Sequence, residues 1–206
     1  MIQKISTFIS IIAHPVFIPV IAVLILTHLH YMIAARLIPE TKWIFIAAYM
    51  LSLTVVPLLG TSLMLKKYQL SELSNLSTDE RKSASLVLAV VYFFIAFTFK
   101  ALFVDKILMV FVISLGVSAL VLSISSRFFK ISFHAFGWAG LMVLMFVIAP
   151  NAVVKMDWLI TIIFLIGAVV ASSRLVLKAH KHKEVYLGYL FGLICNIVVY
   201  SFYYGI

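Results

Sequence analysis

Charge is scarce in this chain, and acidic charge most of all. Asp, Glu, Lys and Arg make up only 11% of 206 residues, against 65% hydrophobic, and the mean hydropathy is +1.19. A soluble domain needs a charged surface, so this composition excludes one. A surface that is apolar all round is what a bilayer requires of the protein it surrounds. There is a single cysteine, Cys195, inside an apolar run. That excludes a disulfide framework or a cysteine zinc cluster and leaves a small core hydrophobe. Acidic residues number seven against sixteen basic ones, and the loops lack the paired carboxylates that hold magnesium. No metal and no cofactor is expected. Internal repeats and low-complexity tracts are also missing.

What is there is a series of long apolar runs. A spanning helix needs about 20 apolar residues. Seven stretches qualify, at 5–27, 42–65, 83–103, 107–126, 132–149, 157–174 and 185–205. Lys100 cuts the third short. The expected fold is all-α: a polytopic transmembrane helical bundle of about seven spans, forming one integral membrane domain over 1–206. Pro15, Pro19 and Pro57 lie inside runs and read as kinks. The first run follows Lys4 as a signal peptide would, but no small-residue cleavage site follows His14-Pro15, so it reads as a retained helix. Ser77-Thr78-Asp79-Glu80 is a capping-box sequence that starts a helix leading into the third span.

Alternation sorts the connections onto two faces. Face A holds the N-terminus, 66–82, 127–131 and 175–184. Face B holds 28–41, 104–106, 150–156 and the C-terminus, where Tyr200, Phe202, Tyr203 and Tyr204 suggest an interfacial aromatic belt. Eleven basic residues fall on face A and five on face B, a bias toward a cytoplasmic face A. Without Arg81, Lys82, Lys130 and Arg174, the four most able to bind substrate, seven remain against five. The net charge of +9 sits at the ends of apolar runs. It therefore points to anionic lipid or a bound phosphate rather than to nucleic acid.

Two polar clusters interrupt the apolar pattern, both on face A. In the first, Ser173-Arg174 ends a run, His180 follows six residues after Arg174, and Glu184 lies four beyond His180. On a helix, residues four apart share a face, so His180 and Glu184 can hydrogen-bond. A carboxylate on one ring nitrogen fixes the tautomer and leaves the other nitrogen as the nucleophile. Gly188 and Gly192 continue the same spacing and would let a neighbouring helix approach closely. In the second cluster Arg127, Lys130, Ser132 and His134 precede Gly137 and Gly140. A helix start there offers free N–H groups and a positive dipole end to a phosphate. His134 is placed to act as a proton donor.

These residues resemble the phosphatidic acid phosphatase type 2 superfamily. Its third motif is Ser-Arg, five residues, His, three residues, Asp. Ser173, Arg174 and His180 match it, with Glu184 in the Asp position. Its second motif, Pro-Ser-Gly-His, corresponds to Ile131-Ser132-Phe133-His134, which keeps Ser and His. Its first motif is Lys, six residues, Arg-Pro. No lysine–arginine pair here has that spacing, and Arg81 and Lys82 are the nearest substitutes. The resemblance covers 127–192. It implies a six-helix core, to which this chain adds one span, and a metal-independent phosphatase acting on a lipid phosphate or isoprenoid diphosphate in a bacterial inner membrane. By the same resemblance His180 attacks phosphorus to form a phosphohistidine and Glu184 orients it. His134 protonates the leaving group and then activates water. Arg174, Ser132, Lys130 and Arg81 or Lys82 hold the phosphoryl oxygens.

Plainer readings stand beside these. The run His180-Lys181-His182-Lys183 is also what a membrane anchor looks like. His182, off the His180–Glu184 register, reads as solvated. Ser132 is equally a helix N-cap, and His14 an interior histidine with its hydrogen bonds satisfied. His28 and His30 fall on face B. A lipid phosphotransferase with the same site, or a non-enzymatic lipid-binding or transport protein, are the alternative functions. Oligomeric state is left open.

Overall fold

A computed structural model describes residues 2–30, 33, 39–66, 76–102 and 104–205. The stretch 67–75, with Lys67, and Arg36 lie outside the described residues. Among the described residues there are nine α-helices: α1 (Ile2–Ile12), α2 (Ile18–Leu29), α3 (Pro39–Met50), α4 (Val56–Leu65), α5 (Thr78–Ala101), α6 (Lys106–Ser125), α7 (Phe133–Ile148), α8 (Asp157–Val176) and α9 (His182–Tyr204). Among the described residues the only extended pairing is a single bridge between His30 and Ala152. Read as continuous rods, α1 with α2, α3 with α4, and each of α5 to α9 give seven helices long and apolar enough to cross a membrane. Phe94, Phe97, Phe164 and Leu165 are exposed on the outside of the bundle, where only lipid would accept so much apolar surface. The chain is an integral membrane protein with an all-α polytopic bundle.

The third span begins earlier than its apolar run, because Ser77 and Glu80 form the expected capping box and carry the helix back to Thr78. Lys100 does not cut it short. It lies exposed in the last turn, where a cation suits the carbonyl end of the dipole.

The prolines break the first two spans in different ways. His14 caps a short 3-10 turn, Pro15–Phe17, between α1 and α2. The carbonyl of Ala13 at that break accepts from Trp138 Nε1 at 3.1 Å, so α7 holds the bend. In the second span a π-helical turn, Leu51–Val55, precedes Pro57. Proline has no N–H to give the carbonyl four residues back. That carbonyl belongs to Leu53 and accepts instead from Tyr92 of α5 at 3.2 Å.

Helix α7 is central, packed against α9, α8 and α2, while α5 packs on α6 and α4, and α1 on α8. The α7–α9 seam is made by small residues on both sides. A Cβ on Gly188 would meet the carbonyl of Ser132 at 2.8 Å and Ala135 Cβ at 2.9 Å. One on Gly192 would meet the carbonyl of Phe136 at 2.5 Å and Ala139 Cβ at 2.9 Å. The close approach predicted for these glycines is present, and it joins the two polar clusters: Ser132 N–H donates to the carbonyl of Glu184 at 3.1 Å. The aromatic belt needs one correction. Phe202 and Tyr204 are exposed, but Tyr200 is fully buried and its hydroxyl lies 3.4 Å from Ser114 Oγ. A tyrosine with a hydroxyl partner on α6 belongs to the core. Cys195 is buried in a small apolar cluster with Ile131 and Phe136, as a core hydrophobe should be.

Candidate active site

Helix α8 ends in a left-handed turn. Lys178 takes φ 53°, and Ala179 N–H reaches back to the carbonyl of Arg174 at 3.1 Å, the pattern of a Schellman stop. The reversal folds the segment after α8 back toward Arg174. His180 then lies just before α9, not within it, so the pairing with Glu184 arises differently from the helical spacing used to predict it. Glu184 is the third residue of α9, and its carboxylate accepts from Lys181 N–H at 3.1 Å as part of a capping box. The same oxygen, Oε2, accepts from His180 Nδ1 at 2.9 Å. The proton on Nδ1 leaves the Nε2 lone pair free.

His180 is buried, at 7% exposure. Burial pushes its pKa down to about 4, against the hydrogen bond it donates to Glu184, which raises it, and with the help of Arg174 and Arg81, whose charges lower it further. Near neutral pH the ring is therefore uncharged, the state a nucleophile needs.

Arg174 and His134 meet on a residue that the sequence reading did not single out, Ser10 of α1. Arg174 Nη1 donates to Ser10 Oγ at 2.6 Å. His134 Nε2 donates to the Ser10 carbonyl at 3.0 Å and lies 3.4 Å from its hydroxyl. All three residues are buried. The ring of His14 stands edge-on to His134, with centroids 5.0 Å apart, while its Nδ1 accepts from Val16 N–H at 3.3 Å. It is a satisfied interior histidine, packed against His134 and not among the residues that line the cavity holding Arg174 and His180. The sequence did carry a signal: Ser6, Ser10 and His14 recur every four residues in an otherwise apolar run. All three are buried while Ile2, Ile5, Phe8 and Ile12 are exposed, the inside-out amphipathicity of a bilayer helix.

A cavity of about 440 Å³ opens above this group, lined by Thr7, Ser10, Lys130, Arg174, Lys178 and His180 among others. Lys130 is exposed and borders the cavity. Ser132 caps α7, accepting from Ala135 N–H at 3.4 Å, so the cap reading holds. Arg81 is buried in the second turn of α5. Its Nη2 donates to the Ile131 carbonyl, and its guanidinium sits 4.2 Å over the Phe133 ring. Its Nε is buried with no partner among the described residues. Arg81, Lys82, Arg127, Ser132 and His134 are not among the residues that border the cavity. Lys82 is half-buried and its carbonyl accepts from Ser123 Oγ, while Arg127 and His182 are exposed. No group of three or more His, Cys, Asp or Glu able to hold a metal occurs among the described residues.

Comparisons with protein-family models, with curated proteins and with solved structures return no match.

Proposed function

We propose that the chain is a membrane phosphatase acting on a lipid phosphate or isoprenoid diphosphate through a phosphohistidine, in a bacterial inner membrane. The observation that carries this reading is the pairing at one cavity of a neutral histidine, its Nδ1 on a carboxylate, with a buried arginine. A second histidine, His134, stands behind the cavity wall and shares Ser10 with that arginine. Cations around a phosphoryl group stabilise the charge spread over its oxygens, which is most of the work in phosphoryl transfer.

In this reading Arg174, Lys130 and Arg81 hold the phosphoryl oxygens. His180 Nε2 forms the bond to phosphorus as the bond to the leaving oxygen breaks. His134 gives that oxygen its proton. A water then attacks the phosphohistidine, losing a proton to His134, and inorganic phosphate leaves with His180 restored. Glu184 holds His180 throughout and supports the imidazolium character that develops on it.

The experiment is phosphate release by purified protein in detergent with EDTA present. The substrates are phosphatidic acid, phosphatidylglycerol phosphate, undecaprenyl phosphate and undecaprenyl diphosphate, with His180→Ala alongside. Release that persists in EDTA and vanishes in the variant is the expected result. Release unchanged in His180→Ala would remove the nucleophile and the reading with it. Label moved to an added lipid acceptor instead of water would make the protein a phosphotransferase.

A further inference from the structure

A second cavity, of about 160 Å³, lies deeper in the bundle and is walled mostly by apolar side chains. Leu76 borders both cavities. Phe133, whose ring carries the Arg81 guanidinium, borders the deeper one. The two cavities are therefore neighbours across Leu76, so the chain of a ligand held at its head in the upper one lies next to the lower one. The volume is close to the ~150 Å³ that admits a benzene-sized apolar guest, enough for a segment of chain but not a whole one. The rest has a route outward. Pro15 and Pro19 from the first span and Pro57 and Leu58 from the second face the same cavity, while α1 packs away on α8 and α4 on α5.

One wall group does not fit a purely hydrocarbon guest. Ser85 is wholly buried, lines the cavity, and its hydroxyl has no partner among the described residues. Its polar neighbours there are already engaged. Thr61 donates to the Pro57 carbonyl, Ser114 to that of Phe111, and Asn196 to Ser118 Oγ and the Gly192 carbonyl. Leaving a hydroxyl unpaired against hydrocarbon is costly. Ser85 stands four residues after Arg81 on α5, about 6 Å further along the axis. A partner for it must therefore lie a few bonds from a phosphate held near Arg81. An acyl-ester carbonyl of a glycerol-based phosphate is at that reach, whereas a polyprenyl chain offers only carbon and hydrogen there.

We propose that the lower cavity is a chain-binding subsite in which Ser85 donates to an ester carbonyl next to the phosphate, selecting acylated glycerol phosphates over ether-linked and polyprenyl ones. The assignment rests on the phosphate-site reading above. Its test is equilibrium binding to the purified full chain in detergent. Phosphatidic acid, its dialkyl-ether analogue and a polyprenyl phosphate would be compared on wild type, Ser85→Ala and His180→Ala. One buried hydrogen bond predicts that wild type prefers the acyl lipid over the ether by about tenfold. In Ser85→Ala that ratio falls to near one, and in His180→Ala it persists. Equal binding of acyl and ether lipids by wild type, or an undiminished preference in Ser85→Ala, overturns the proposal, as does a polyprenyl phosphate that binds as tightly as phosphatidic acid. The two readings fail separately. A preference for acyl lipid with no phosphate release from any substrate refutes the phosphatase and keeps the subsite. Release without the preference does the reverse.

Discussion

Arg174 and Ser10 are 164 positions apart in the chain and joined by a buried 2.6 Å hydrogen bond. The same serine takes the Nε2 proton of His134 on its carbonyl. The first span thus supplies the residue on which the proposed phosphate anchor and the proposed acid are aligned. Ser10→Ala leaves the carbonyl in place and removes only the hydroxyl. Hydrogen bonds to a charged partner contribute about 1.5–3 kcal/mol, so kcat/KM is expected to fall roughly 10- to 100-fold. Ser10→Thr keeps the hydroxyl and should recover most of the loss. A drop in folded yield with the remaining protein fully active would assign Ser10 to packing alone.

Glu184 has two duties that substitution can separate. It caps α9 through Lys181 N–H and it holds His180. Glu184→Gln keeps an oxygen for the cap but loses the negative charge beside the imidazole, so thermal stability stays close to wild type while turnover falls by at least tenfold. Glu184→Ala loses both, and the missing cap costs about 1 kcal/mol of stability besides. Turnover and thermal unfolding in one detergent distinguish the two. Equal activity in wild type and Glu184→Gln would contradict an orienting role.

The low pKa of His180 sets a sign for pH dependence. The ring is uncharged in the folded protein down to about pH 4, whereas an unfolded chain protonates it near 6.5. Folding therefore excludes a proton that the unfolded state binds. Its contribution to stability is complete above about 6.5 and is lost as the pH falls from there toward 4. The acid limb of turnover due to His180 should likewise sit near 4, not near 6.5. A second limb belonging to His134 should disappear in the residual activity of His134→Ala. Rates measured from pH 4 to 9 on both proteins decide this. A wild-type limb centred near 6.5 that survives in His134→Ala would mean that His180 titrates as an ordinary histidine.

The parts of this fold legible in the sequence are those governed by local chemistry. Seven apolar runs, the Ser77–Glu80 box and the Ser132 cap follow from transfer energies and end effects within a few residues. The site was legible where its residues interrupt hydrocarbon at fixed spacing, as Arg174, His180 and Glu184 do. It was not legible where the partner comes from a distant span. Ser10 is one of many serines, and only its four-residue spacing from Ser6 and His14 marks an inward face. Tyr200 was misplaced for the same reason, since four aromatics in five residues read as a belt until Ser114 is seen beside one of them. Arg81 could be assigned to face A, but not to the Ile131 carbonyl and the Phe133 ring, because those contacts depend on how α5 meets the start of α7.

The α7–α9 seam offers a test of whether the two polar clusters act as one site. A methyl on Gly192 meets the Phe136 carbonyl at 2.5 Å and Ala139 at 2.9 Å. Both are rigid, one backbone and one Cβ on a packed helix, so the helices must separate. Overpacking of this kind costs about 1–3 kcal/mol, and Gly192→Ala should lower the unfolding temperature in detergent by several degrees. The displacement also acts further along the same helix, where Gly188 rests on the Ser132 carbonyl and Ser132 N–H reaches Glu184. Moving α9 outward shifts Glu184, and with it His180, relative to His134. Gly192→Ala should therefore lose turnover at temperatures where it is still fully folded, with kcat falling more than KM rises. The paired change Ala139→Gly with Gly192→Ala removes one of the two clashes and should restore part of both properties. Full activity in a folded but destabilised Gly192→Ala would show that the seam supports the bundle without setting the distance between the histidines.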